Sequence, residues 1–405
     1  MSELPVIPMD DAAYWQNPYP ILGEIRAEHR VAQSDQGQLT LLRWDDAVET
    51  LKGTQFIAEG IEVLERRGFK PGDPMHTWRK NAIGTMEGED HRRVRSLAAS
   101  ALSKRRMEEL RPLIRKHAHA LLDEKVGAGR LEGRLDYAMP LPRRVMMDFL
   151  GVEPAELASA QGPMAKANIV DCFGPNVTAQ LREEANAAIK QSMEQTAALY
   201  ALRRKEPRDD LLTHLVEANE ANGQLSEGEL ITLFSTIFGS GGSTSNVIAS
   251  GLLELARHPD QAQRLRDDPE RWKKGASEET LRFRPSITYV GQKSAEATHA
   301  FGLDFPAETP LAVNLGSCNR DTRYWEDPER FDITRDPKKT SLTFGIGAHV
   351  CIGHAMARAT VEEALAVFVE RCDEIELVGD ARWIPFVMEN KLEGLALGFS
   401  GQPVG

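Results

Sequence analysis

The stretch Phe344-Gly-Ile-Gly-Ala-His-Val-Cys-Ile-Gly353, followed by HAMARATVEEALAVFVERC over 354–372, decides how this chain is read. Gly345, Gly347 and Gly353 allow a tight loop and a close approach to whatever the loop holds. Cys351 sits where the next helix is expected to begin. Unpaired helix N–H groups and the helix dipole favour negative charge at that point, so the sulfur is expected as a thiolate suited to a metal. Zinc could draw on Cys351 with His349 and His354, but that leaves a tetrahedral set incomplete, and the chain has no CxxC pair. Haem iron needs one axial protein ligand, and a thiolate opposite an open position favours O–O cleavage. A lone cysteine is more often a small buried hydrophobe; the glycine spacing decides against that here.

The decapeptide matches every fixed position of Phe-Gly-x-Gly-x-His-x-Cys-x-Gly and so resembles the haem-binding loop of the cytochromes P450. The resemblance carries to further segments, in the expected order, over nearly the whole chain. It implies a mainly α fold with small β-sheets, one domain over 1–405, and haem b between a long central helix and the cysteine loop. It also implies Cys351 as the axial ligand, with Phe344, Gly345, His349 and Gly353 as haem-contacting loop residues.

Upstream, Glu279-Thr-Leu-Arg282 resembles the family's ExxR helix, and Asp327-Pro-Glu-Arg330-Phe331 the segment whose arginine joins that pair. An exposed pair at this spacing would be worth only about 0.2–0.5 kcal/mol. With a second arginine it becomes a charge-assisted network that can fix the segment delivering Cys351, a structural role. His91-Arg-Arg-Val-Arg95 is similar to the HxxxR that holds a haem propionate; its residues lie one helical turn apart, and outside this context they would read as a solvated basic face. Where the family often places another propionate arginine, this chain has Gln292 followed by Lys293.

The central helix is expected from Ser226, a cap with Glu229 reaching back, to Arg257, about 48 Å at ~1.5 Å per residue. In its middle lies FGSGGSTSN, Phe238–Asn246, whose three glycines each cost about 1 kcal/mol relative to alanine. By the resemblance these small residues, Gly241 among them, leave room for O2 and substrate beside the iron. Most members carry an acid and then threonine here; this chain has no acid, and Ser243 or Thr244 stands at the alcohol's place. Either hydroxyl could serve dioxygen or bond back to the helix, and protons must come through water, another side chain or the substrate.

The net charge of -12 argues against a nucleic-acid partner. The uncharged run between Glu229 and Glu254 holds nine Ser, Thr and Asn residues and lacks a flanking basic cluster, so it reads as a buried helix, not a membrane span. Widely spaced Cys172, Cys318, Cys351 and Cys372 and a polar N-terminus suit the cytoplasm. No flavin or nicotinamide fingerprint and no iron–sulfur cysteine set is present, so electrons must arrive from outside. The resemblance implies a ferredoxin and an NAD(P)H-dependent reductase, a monomeric enzyme, and one O2 oxygen inserted into a small or medium apolar substrate. Arg92, Arg93, Lys104, Arg105, Arg106 and Arg358 are candidates for a docking face. The substrate pocket is expected from 56–83, 169–177, Ile237, Phe238, Gly241, 287–290 and 385–388. Two other readings are a peroxide-driven enzyme, although the arginine and proline typical of such members are absent from the helix, and a non-enzymatic haem-thiolate sensor, although no effector domain is evident.

Overall fold

The computed structural model describes residues 4–102, 104–153, 156, 169–174, 176–223, 225–385 and 388–401. It is mainly helical, with small sheets, and divides into two compact units. One comprises Met1–Ile57, Glu108–Arg143 and Gly241–Gly405; the other comprises Ala58–Met107 and Arg144–Ser240.

The first unit is organised around the helix His354–Arg371, which is buried on nearly every side. Val361, Leu365, Val367 and Phe368 are fully buried, and the helices Gly241–Arg257 and Pro269–Phe283 pack against it. The same helix buries Glu363, which accepts hydrogen bonds from Arg111, Lys273 and Arg115 at 2.9, 3.0 and 3.1 Å. Burial pushes this carboxyl's pKa up, but the three cations outweigh it and the net shift is downward.

The larger sheet runs in the order Val6–Ile7, Val31–Ser34, Leu39–Leu41, Pro310–Asn314, Tyr289–Ser294 and Phe56–Ala58. Leu39–Leu41 pairs parallel with Pro310–Asn314, which pairs antiparallel with Tyr289–Ser294. Alternate residues Leu311 and Val313 turn into a core with Leu41, Trp44, Phe305 and Trp325. A second sheet joins Cys372–Leu377, Ala396–Gly401 and Arg130–Glu132, all antiparallel. The strands expected near SITYVGQ, TPLAVNLG and GLALGFS are thus present.

In the second unit the long helix Ala179–Lys205 packs on Pro74–Lys80, Leu211–Asn222 and Glu227–Gly239. Ser226 and Glu229 form the expected capping box at the start of Glu227–Gly239. Glu229 also accepts two bonds, at 2.6 and 3.0 Å, from Arg93 of the helix Gly88–Ala101.

The expected single helix from Ser226 to Arg257 is in fact two, Glu227–Gly239 and Gly241–Arg257, divided at Ser240. Both the N–H and the hydroxyl of Ser240 donate to the Ile237 carbonyl, at 3.2 and 2.7 Å. That i→i−3 closure tightens the turn where Gly239, Gly241 and Gly242 give the helix least support.

The Arg93 hydrogen bonds, set against a smaller opposing effect of burial, hold the Glu229 carboxyl down to about 2. A depressed carboxylate stabilises the folded state above its unfolded pKa of about 4.3 and loses that contribution as pH falls toward 2. Glu229→Gln should therefore cost about 1 kcal/mol near neutral pH, with the gap to wild type closing between about pH 4 and 2 in urea denaturation.

Candidate active site

The cysteine loop is positioned by a chain of bonds that begins at a buried ion pair. Arg282, 1% exposed, forks onto Glu279 of the same helix through Nε and Nη2, both at 2.7 Å. Its guanidinium also donates to the carbonyls of Pro328, Asn319 and Arg330 at 2.8, 3.0 and 3.2 Å. The Asn319 side chain accepts the Leu342 N–H at 2.8 Å and donates to Thr343 Oγ1 at 3.0 Å. Thr343 Oγ1 donates to the Leu281 carbonyl at 2.7 Å, one residue before Arg282. Leu342 and Thr343 lead into Phe344, whose carbonyl accepts the Cys351 N–H at 2.8 Å.

Two glycines close the loop. Gly345 has φ 68° and Gly347 φ 84°, conformations that side chains disfavour. A Cβ on Gly347 would also stand 2.4 Å from the Leu51 carbonyl oxygen. Cys351 presents an exposed thiol on this loop, whereas Cys172, Cys318 and Cys372 are buried. Burial pushes Cys172 and Cys372 up to about 12 and Cys318 higher still, which removes them as thiolate donors. Beside the loop, the Phe344 ring carries the Arg358 guanidinium 4.5 Å from its centre and faces His354 at 6.1 Å. Among the described residues no group of three His, Cys, Asp or Glu side chains converges as a metal site, so the zinc alternative has no ligand set. An accessible thiol on a glycine-shaped loop fits a cofactor that takes one protein ligand.

The arginine joining the Glu279–Arg282 pair is not Arg330. The Arg330 carbonyl faces Arg282, and its side chain turns outward, 63% exposed and 3.9 Å from Asp332. Arg335 returns instead, with Nε 3.2 Å from Glu279 and its other nitrogens on the Glu326 and Asp327 carbonyls at 2.7 and 2.6 Å. The signal was the next arginine along, in FDITR.

On the helix Gly241–Arg257, Gly241 lies against Pro142, and a Cβ on Gly242 would meet nothing within 4 Å. Ser243 does not bond back to the helix; its hydroxyl donates to Glu389 at 2.8 Å. One turn on, Asn246 donates to the other Glu389 oxygen at 3.0 Å. Ser245 is the residue that bonds back, to the Gly242 carbonyl at 2.6 Å. Thr244 is half-buried on the same turn. Sequence reasoning missed both Glu389 and Asn246.

His91 and Arg95 lie one turn apart on Gly88–Ala101 in the second unit, His91 buried and Arg95 half-buried. Gln292 is buried and donates to the Gly291 carbonyl, and Lys293 pairs with Glu308 at 2.6 Å. Two of the proposed docking cations are engaged internally: Arg93 with Glu229 and Asp90, and Arg358 with Glu278 and His354. Of the expected pocket segments, Pro175, Phe386 and Val387 lie outside the described residues. Phe173 in 169–177 carries the Arg79 guanidinium 4.9 Å from its ring centre.

The sequence profile described as Cytochrome P450 matches residues 174–379. Cytochrome P450 107B1 of Saccharopolyspora erythraea is 35% identical over 348 residues, covering 84% of this chain and 82% of that protein. This chain belongs to the cytochrome P450 family. Among solved structures, P450BioI in complex with a hexadec-9Z-enoic acid-ligated acyl carrier protein superposes with TM-score 0.88 at 25% identity, covering 96% of this chain and all of that one. The myxobacterial cytochrome P450 CYP267B1 in complex with myristic acid gives 0.86 at 30% identity, covering 96% and 98%. The fold is that of a P450, and the protein is a monooxygenase, an oxidoreductase whose cofactor is haem b. Like other members it uses O2 and redox partners. No helix among the described residues of this P450 is long and apolar enough to cross a membrane.

Because Arg335 and not Arg330 touches Glu279, Arg335→Ala should cost about 1–3 kcal/mol of stability and Arg330→Ala no more than about 0.5. Arg282→Lys, which loses the fork, should cost about 3–5 kcal/mol and impair haem retention. Denaturant midpoints and the haem-to-protein absorbance ratio check all three.

Proposed function

We propose that Cys351 is the axial thiolate of this P450 and that the enzyme inserts one oxygen atom of O2 into a small or medium apolar compound by hydroxylation or oxidative demethylation. The observation carrying this reading is the exposed Cys351 thiol on a loop whose path is fixed from Arg282 onward. Phe344, Gly345, His349 and Gly353 line that loop, Gly241 flanks the open face, and His91 and Arg95 hold the propionates. Bound at Cys351, the haem supplies the iron at which dioxygen is activated. Ser243 and Thr244 are the hydroxyls assigned to hydrogen-bond oxygen there. Electrons come from a ferredoxin and an NAD(P)H-dependent ferredoxin reductase, and the enzyme works as a cytoplasmic monomer.

The substrate class is read from composition. The segment 287–290, expected at the pocket, contains Ile287 and Val290, which favour apolar over highly charged ligands. The vitamin D(3) 25-hydroxylase of Pseudonocardia autotrophica, 30% identical over 375 residues, and the myristate-bound CYP267B1 are both consistent with an apolar substrate.

Titration of the holoenzyme with aromatic acids and ethers, terpenoids, steroids and fatty acids should displace the Soret band saturably for one class. No displacement by any class would overturn the substrate reading. Cys351→Ser should fold but lose the thiolate signature of the reduced carbon monoxide complex; retention of that signature would overturn the ligand assignment.

A further inference from the structure

By the family resemblance the first turn of the helix Gly241–Arg257 would carry an acid, at Gly242 or at Ser243 according to the register; this chain has none there, yet a carboxylate is bonded to Ser243. Glu389 is 7% exposed, and its two oxygens are divided between Ser243 and Asn246, which stand three residues apart on one helical face. Its backbone is held across from residues 285–288. Glu389 bridges Ile287, the Met388 carbonyl accepts from the Thr288 N–H and hydroxyl at 3.3 and 3.1 Å, and the Asn390 N–H donates to Ser286 at 2.7 Å. Asn390 Nδ2 adds a bond to the Pro285 carbonyl at 2.7 Å. The carboxylate is therefore delivered to Ser243 by a fixed segment. Among the described residues, a Cβ added at Gly242 would meet no atom within 4 Å.

We propose that Glu389 is the acid that serves Ser243, passing protons through the Ser243 hydroxyl to the oxygen chemistry of this enzyme. The inference rests on the reading that Ser243 faces dioxygen. Monooxygenation releases one oxygen atom as water and so takes up two protons with its two electrons. In the structure Ser243 donates to Glu389. When Glu389 takes a proton from water, its O–H donates to Ser243 Oγ, and the Ser243 hydrogen is free to turn toward oxygen. Transfer of that hydrogen and its replacement from Glu389 leaves serine unchanged and the carboxylate ready for another proton. Glu389 acts through Ser243 and is a positioning and proton-supplying residue. Both helix groups that donate to it, Ser243 and Asn246, are neutral.

The test uses the holoenzyme, a surrogate ferredoxin and reductase, and the panel compound giving the largest Soret displacement. Glu389→Gln should leave that displacement and the melting temperature near wild type, while product per NAD(P)H falls about tenfold and peroxide rises to match. Adding Gly242→Asp to this variant should restore coupling several-fold, which a merely structural tie would not allow. The Ser243–Glu389 bond is read without turnover as a shift of the Glu389 carboxylate stretch on Ser243→Ala in infrared difference spectra. Unchanged coupling in Glu389→Gln would overturn the proposal, as would a loss of coupling that tracks a loss of stability and resists Gly242→Asp. If Ser243→Ala uncouples turnover and Glu389→Gln does not, the inference fails and the role of Ser243 stands. If neither uncouples it, the assignment of Ser243 fails as well.

Discussion

The fork between Arg282 and Glu279 is the interaction on which the cysteine loop depends. A buried ion pair is not by itself a source of stability, because desolvating two charges offsets much of their attraction. What this one supplies is position. Arg282 makes five donations, two to Glu279 and one each to the carbonyls of Asn319, Pro328 and Arg330. Those carbonyls belong to turns, where no ladder would satisfy them, so a planar guanidinium with fixed donor directions specifies the path of two separate backbone segments at once, at Asn319 and at Pro328–Arg330. Asn319 carries that specification on to Leu342 and Thr343, and Phe344 carries it to the Cys351 N–H.

The loop is held from its other side as well. Gly347 can approach the Leu51 carbonyl only because it has no side chain, and Phe344 is covered by Arg358, itself anchored to Glu278 and His354. A single thiol can act as a cofactor ligand only if its backbone stays in one place, and here both ends of the loop are tied into helices of the same unit. The buried helix His354–Arg371 follows directly, so the cysteine loop sits at the head of a largely enclosed element of that unit.

The decapeptide was legible because its chemistry is local: three glycines, a cysteine and a helix start within ten residues. The Ser226–Glu229 cap was legible for the same reason. Arg335 was not, since which of two arginines five residues apart turns inward depends on the path of a turn-rich segment, not on residue type. The division at Ser240 was hidden by apolar periodicity continuing on both sides of it. Glu389 was the least accessible of all, because it is 146 residues from Ser243 and no local pattern marks it.

In its proposed role, Glu389 couples proton supply to the backbone segment that carries it. Residues 385–388, expected at the pocket, run directly into it, and its backbone is bonded to the segment that precedes Tyr289–Ser294. With Glu389 in the proposed role, proton delivery is tied to the backbone of residues 388–390, which is bonded to residues 285–288, so a change that re-aims that backbone also moves the carboxylate relative to Ser243. Open space at Gly242 means that this arrangement is not forced by crowding on the helix. With the carboxylate on Glu389, the first turn of Gly241–Arg257 is small and uncharged, and in the proposed role the oxygen chemistry beside that turn draws its protons from a separate segment.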